Sequence, residues 1–242
     1  MTGDDDHQTA LPRPFTVLWQ DEARGGVPPR TRGLHRERIV SAAVEIADAD
    51  GLAAVSMARL AERLGCGTMS LYRHVANKDE LVAFMLAMAP GAPSPPRPQA
   101  NWRDAVTDWV HGLWAVYHRH PWVLQASAAG PPADPGQVAW LEAGLATVSG
   151  TGLAETEKLS AVLALLHFVR GSAALHIEAA GGQLTDYPAM LRPVLDPQRF
   201  PALTAALAAG AFDGDDDALA GFDTGLRWLL DGIDARVDDT AR

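Results

Sequence analysis

Residues 56 to 75 read SMARLAERLGCGTMSLYRHV, and how this stretch folds decides how the whole chain is organised. Ser56 carries a hydroxyl suited to capping a helix, and Leu60, Ala61 and Leu64 follow at helical spacing. Gly65 supplies a residue that can end that helix in a left-handed conformation. A second short pattern begins at Thr68, with Leu71 and Val75 four apart. Two short helices joined by a tight glycine-containing turn make a helix-turn-helix, whose second helix enters the DNA major groove. Its outward face would carry Thr68, Met69, Tyr72, Arg73 and His74, groups that can meet phosphates and base edges. The plainer alternative is a helical hairpin inside an ordinary bundle.

The surroundings bear on that choice. A first helix is expected from about Leu34 to Ala49, with Ile39, Ala43, Ile46 and Ala47 on one stripe and Asp50-Gly51 ending it. After the hairpin, Asn77 can cap a further helix, and Glu80 three residues on completes a capping box. Leu81, Phe84, Met85 and Met88 supply its buried side, and Pro90 stops it. Residues 1–30 hold Pro12, Pro14, Pro28, Pro29, Gly25 and Gly26 with an acidic cluster at Asp4 to Asp6, and read as a flexible arm. Its apolar patch, Phe15 to Trp19, is expected to dock onto the body of the chain in preference to a partner. Arg30 and Arg32 either reach DNA backbone or minor groove or belong to a solvated linker.

Composition limits the rest. The 242 residues, 48% hydrophobic, sustain one large or two modest domains, and the excess of Ala and Leu favours helix over sheet. The net charge of −10 looks wrong for a DNA binder, so its distribution matters more than its total. Between Arg30 and Glu80 there are eight basic and seven acidic residues, against twelve and twenty-three elsewhere. The acidity therefore lies mostly outside the reading segment. The single Cys66 excludes an internal disulfide and reads as a small packing residue in the turn. No apolar run is expected to reach the length needed to span a bilayer, and the opening MTGDDDHQ is unlike a signal peptide. The expectation is a cytoplasmic protein with no membrane partner.

An amphipathic helix followed by SMARLAERLG and then TMSLYRHVANKDEL closely resembles the N-terminal domain of the TetR family of transcriptional regulators, over about Arg32 to Met88. The resemblance implies that Tyr72 and Lys78 grip phosphates, while Thr68, Met69, Ser70 and Arg73 face bases or backbone. Met57 and Ala58 fall where tetracycline repressors place a hydroxyl residue and an arginine, and Thr68 and Arg73 replace their Gln and Trp. The operator should therefore differ from the tetracycline operator. The implied DNA-contacting set is Met57, Thr68, Met69, Ser70, Tyr72, Arg73, His74 and Lys78.

Gly91 to Ala100 (GAPSPPRPQA) is a proline-rich connector, and the domains are read as 31–89 for DNA binding, 90–100 for the linker and 101–237 for an all-helical regulatory domain, with a tail at 238–242. Helices are expected at Asn101–Arg119, from Trp122 to about Ala128, from Pro135 to near Gly150, at Ala154–Ala180, Pro197–Ala209 and Ala218–Val237. Gly181-Gly182 would close the longest, with a loop to Asp196 and an acidic turn at Asp213 to Asp217. WRDAV, HPW and LLHFVRGSAALHIEA make this half similar to the regulatory domain of the tetracycline-repressor branch. That similarity implies a ligand pocket and a dimer interface of two late helices per subunit. The interface would use Leu159, Val162, Leu166 and Val169 with Phe222, Leu226, Leu229 and Ile233, although part of each stripe must face its own core. Trp109, Leu113, Trp122, Trp140, His167, Phe168 and Gly171 are the residues assigned to an apolar or aromatic ligand.

No catalytic signature appears: there is no phosphate-binding loop after a strand, no nucleophile elbow and no paired-carboxylate pattern. His111, His118 and His120 lie within ten residues and His167 and His176 share one helix, but without a Cys partner they read as core or pocket groups rather than metal ligands. The fold class is all-α, a three-helix reading head followed by a ligand-binding and dimerising domain. The function expected is that of a ligand-responsive, homodimeric regulator of a near-palindromic double-stranded operator, a repressor released by a small effector, with no cofactor and no enzymatic step. The alternatives are a helical binding protein that has lost DNA binding, a small helical enzyme, and an activator of the same fold.

Overall fold

The computed structural model describes residues 11–25, 33–95, 97, 100–129, 132–180, 187–211 and 218–240. Arg30, Arg32, Asp4 to Asp6, Gly181-Gly182, the Asp213–Asp217 turn and residues 241–242 lie outside them. Among the described residues there are twelve α-helices and no strand. They form two compact units: Met1–Pro95 with Arg119–Ala143, and Pro96–His118 with Gly144–Arg242.

The first unit is built on α2 (Arg36–Asp50), α3 (Met57–Leu64), α4 (Thr68–Tyr72) and α5 (Lys78–Met88). Ile39 and Ile46 of α2, Leu60 of α3, Leu71 of α4, and Leu81 and Met85 of α5 are all essentially removed from solvent. Full burial of each such side chain stabilises by about 1.5–3 kcal/mol, so this small core is well anchored.

Residues 13–23 are not part of a flexible arm. They form α1 (Arg13–Ala23), which begins with Pro12 as its N-cap and carries Pro14 in its first turn. Proline belongs there, because the first N–H groups of a helix have no internal partner to lose. Phe15 to Leu18 are half-buried, and Trp19 donates its indole N–H to the Ala133 carbonyl at 2.9 Å. The apolar patch docks on its own unit, mainly against α5.

The division at residue 101 also differs from the structure. α7 (Trp122–Ala126) and the first part of α8 (Pro135–Thr147) belong with the reading head. Asp48 of α2 explains much of this: its Oδ1 lies 2.7 Å from His120 Nδ1 and accepts the Trp122 indole N–H, also at 2.7 Å. Gly136 of α8 sits so close to Ala87 that a Cβ would stand 2.3 Å from that carbonyl oxygen. Such contacts, dozens of residues apart in the chain, leave no trace in local composition.

The second unit contains α6 (Trp102–Arg119), α9 (Glu155–Ala180), α10 (Tyr187–Leu191), α11 (Pro201–Ala208) and α12 (Ala218–Thr240). α10 is a short helix where a loop was expected. Val106, Val110, Val148, Leu165 and Val169 are fully buried here. Gly144 admits the Trp109 ring: a Cβ there would meet it at 2.7 Å. α9 is, by length and composition, apolar enough to cross a bilayer, contrary to expectation. It packs on α12, and Val162, Leu165, Val169 and Ala173 lie in the core of the unit.

Candidate nucleic-acid interface

The reading head is set by three caps. Ser56 accepts the Arg59 N–H at 3.2 Å and starts α3. Gly65, at φ 67°, ends it in the left-handed region, which glycine enters without steric cost. Asn77 then accepts the Glu80 N–H at 2.8 Å and starts α5. Between the caps, Leu71 and Val75 are wholly buried, so the intervening side chains are turned outward.

Thr68, Met69, Tyr72 and Arg73 are exposed, with Met69 at 77% and Tyr72 at 46%, while Ser70 and His74 are half-buried. Met57 is half-buried and Ala58 exposed at the start of α3. α4 as a regular helix covers only Thr68–Tyr72, but the N–H groups of His74 and Val75 still bond to the Leu71 carbonyl and carry the turn onward. The eight residues expected to meet DNA thus fall within the hairpin and the first turn of α5.

The cations of the hairpin and of the turn after it fall into two sets. Arg59 and Arg63 of α3 are taken up by Asp50 and Glu45 of α2, which fix α3 against its neighbour. Arg73 and Lys78 have no carboxylate partner among the described residues; Arg73 reaches only the Ser70 hydroxyl, at 3.3 Å. Lys78 is exposed in the first turn of α5, where backbone N–H groups also favour a phosphate.

Sequence reasoning missed one support. Glu80 is 4% exposed; its Oε1 accepts from Arg13 of α1 at 2.7 Å, and its Oε2 accepts the Ala76 N–H in the turn behind the recognition helix. The capping box predicted Glu80, but its cation stands 67 positions earlier. A charged hydrogen bond to a buried carboxylate is worth about 1.5–3 kcal/mol, less at a partly exposed end such as Arg13.

The arrangement is matched by family models along both halves. "Bacterial regulatory proteins, tetR family" covers residues 39–85, and "Tetracyclin repressor-like, C-terminal domain" covers residues 94–237. The chain belongs to the TetR family. This TetR-family regulator is 34% identical to the HTH-type transcriptional repressor DrrR1 of Streptomyces coeruleorubidus, over 94% of its own length and 87% of that protein's. It is 31% identical to an HTH-type transcriptional regulator of Saccharopolyspora erythraea, over 97% and 98% respectively. Among solved structures it resembles apo ActR of Streptomyces coelicolor at a TM-score of 0.72 and 27% identity, covering 85% of this chain and 98% of that one. ActR in complex with actinorhodin matches at 0.71 and 27%, covering 85% and 97%.

The residues assigned to ligand and dimer contacts are scattered. Trp122 and Trp140 lie in the reading-head unit, buried, with their indole N–H groups given to Asp48 and to the Gly91 carbonyl. Trp109 and Leu113 are core residues of the second unit, while His167 and Gly171 are exposed along α9. Phe168 stacks on Phe222, with ring centroids 5.3 Å apart. Of the dimer set, Val162, Val169, Phe222 and Leu226 are buried within their own chain and cannot face a partner. Leu159 is exposed, and Leu166, Leu229 and Ile233 are half-buried. The histidines form pairs instead: His111 with Asp223, His120 with Asp48, His118 with His176. No group of three or more metal-ligating side chains occurs among the described residues.

Proposed function

We propose that the chain is a homodimeric, ligand-responsive repressor that works in the cytoplasm. Each subunit lays the Thr68–Val75 segment in one of two successive major grooves of a near-palindromic operator. The observation that carries this reading is the pairing state of the cations: Arg59 and Arg63 are spent on α2, whereas the exposed Arg73 and Lys78 have no carboxylate partner among the described residues. ActR, a relative of similar fold, has been solved with actinorhodin bound, which supports a response to a ligand; the aromatic side chains of the second unit suit a small apolar or aromatic effector there. Release requires only that the effector bind one of two conformations better than the other; a coupling of about 1.4–3 kcal/mol gives tenfold to a hundredfold.

Selection of bound fragments from random DNA, followed by a compound screen for release, tests the reading as a whole. Within the selected site, Arg73→Ala should weaken binding by about 1–3 kcal/mol and relax one base position, as expected for a bidentate guanine contact. A uniform loss over all sequences assigns Arg73 to phosphate instead. Lys78→Ala should lower the slope of log affinity against log salt by about one unit, and an unchanged slope removes it from the phosphate set. Absence of any selected sequence would favour a binding protein without a DNA role.

A further inference from the structure

Trp114 and His118 of α6, one turn apart, meet His176 of α9 and Phe222 of α12 inside the second unit. The Trp114 ring stacks on His176 with centroids 5.7 Å apart and planes 25° from parallel, and its centroid is 4.3 Å from those of both His118 and Phe222. Phe168 extends the row beyond Phe222, in space that Gly225 leaves open: a Cβ there would stand 2.8 Å from the Phe168 ring. Trp114, His118 and His176 are only half-buried, so the row keeps an accessible end. His111, beside it, is already satisfied by Asp223 at 2.8 Å.

The histidine pair determines its own protonation pattern. His118 Nδ1 lies 2.9 Å from the Trp114 carbonyl oxygen, which can only accept, so that nitrogen carries hydrogen. In the neutral pair His118 Nε2 is a lone pair and receives the Nδ1–H of His176 across 2.7 Å. His176 Nε2 is then an acceptor, and it has no partner among the described residues. One added proton reverses this. Whether the charge sits on His118 or on His176, the 2.7 Å contact is kept and His176 Nε2 becomes a donor.

We propose that this pair and Trp114 form the recognition point for the effector, and that the effector is a flat aromatic molecule bearing an acidic ring hydroxyl, of the phenol or hydroxyquinone class. The proposal rests on the reading of the second unit as effector-binding. A neutral hydroxyl donates to His176 Nε2 of the neutral pair. If its proton moves across, the oxygen keeps the electron pair as an aryloxide and accepts from the Nε2–H of the cationic pair. Both states hold one hydrogen bond, and the second is charge-assisted on both sides. An acidic ring hydroxyl can use both states, because its aryloxide is stabilised by the ring, whereas an aliphatic alcohol has only the first. The flat ring continues the aromatic row.

The test uses the full-length protein near neutral pH and two probes of the same ring: alizarin, a dihydroxyanthraquinone, and unsubstituted anthraquinone. Alizarin is expected to bind with its visible band moved toward that of the ionised dye, and anthraquinone to bind at least about tenfold more weakly. His176→Phe, which keeps a ring in the row but removes the nitrogen, should abolish the band shift and lower alizarin affinity about tenfold. Equal affinity for the two probes, failure of alizarin to bind, or a band shift retained in His176→Phe would overturn the proposal; the two-probe comparison needs no variant to fold. Release of selected DNA by hydroxyl-free compounds alone would also overturn it while leaving ligand-responsive repression intact. Release by no compound of any class would count against the wider reading itself.

Discussion

At the residue scale, Asp134 shows how a cap can both start a helix and carry a cost. It is 1% exposed and accepts the Gln137 N–H at 2.9 Å in the first turn of α8. Burial raises its carboxyl above the ordinary carboxylate value, outweighing the opposing pull of the Gln137 and Gly136 N–H bonds. A native state that holds a proton more tightly than the unfolded chain loses stability as pH rises through the raised pKa. Asp134→Asn keeps the accepting oxygen and removes the charge. In urea denaturation near pH 7 the variant should be as stable as the native protein or more so, and the difference should shrink as the pH falls to about 4. A variant clearly weaker than native near pH 7 would mean that the ionised cap is net favourable. The Asp134-Pro135 start was legible because a cap is a local pattern; the burial that shifts its titration was not. The same holds for the reading face, where alternation of buried Leu71 and Val75 with polar neighbours names the outward residues, while the cation behind Glu80 stands far away in the chain.

At the element scale, the boundaries of α2, α5, α6 and α9 follow from caps and apolar spacing within a residue or two. α1 was obscured by Pro12, Pro14, Gly25 and Gly26, which read as loop residues until the prolines are placed in a helix's first turn. Once docked, α1 joins α2, α5 and the start of α8 around a cavity of about 420 Å3. α8 approaches α5 tightly at Gly136, whose absent Cβ would stand 2.3 Å from the Ala87 carbonyl. That neighbour is backbone and has no rotamer into which to retreat. Gly136→Ala should therefore destabilise the protein by about 1–3 kcal/mol by overpacking, read as a lower urea midpoint with an unchanged slope. A neutral result would show that α8 can slide away from α5 without loss. Such a glycine cannot be recognised in one sequence, because inside a helical pattern it resembles any tolerated interruption.

At the scale of the whole molecule, the proposed dimer raises the question of which apolar surface a second copy would cover. α9 is rich in Ala and Leu on nearly every side, so periodicity alone could not separate core from interface there; half of the expected interface residues on α9 and α12 are instead buried in their own chain. What remains outside is more informative. On α9, Ala164, His167, Gly171 and Leu175 are exposed at helical spacing, with Leu175 at 62%. On α12, Trp228 is 71% exposed and Gly232 is exposed one turn later. Large apolar side chains beside glycines allow two helices to approach closely, and an exposed apolar face of this kind is the natural candidate for the proposed association. Two such helices from each protomer would build the four-helix interface, with Leu159, Leu166, Leu229 and Ile233 at its margins. The native protein should then sediment as a dimer at micromolar concentration. Leu175→Arg combined with Trp228→Arg should yield a monomer with unchanged helical circular dichroism, because neither side chain supports its own core. Operator affinity should fall with dimerisation, since each reading head alone lacks the effective concentration its partner confers. If the double variant still sediments as a dimer, the face covered by the partner lies elsewhere. If it is monomeric yet binds the full site as tightly as native, the two heads do not act as a joined pair.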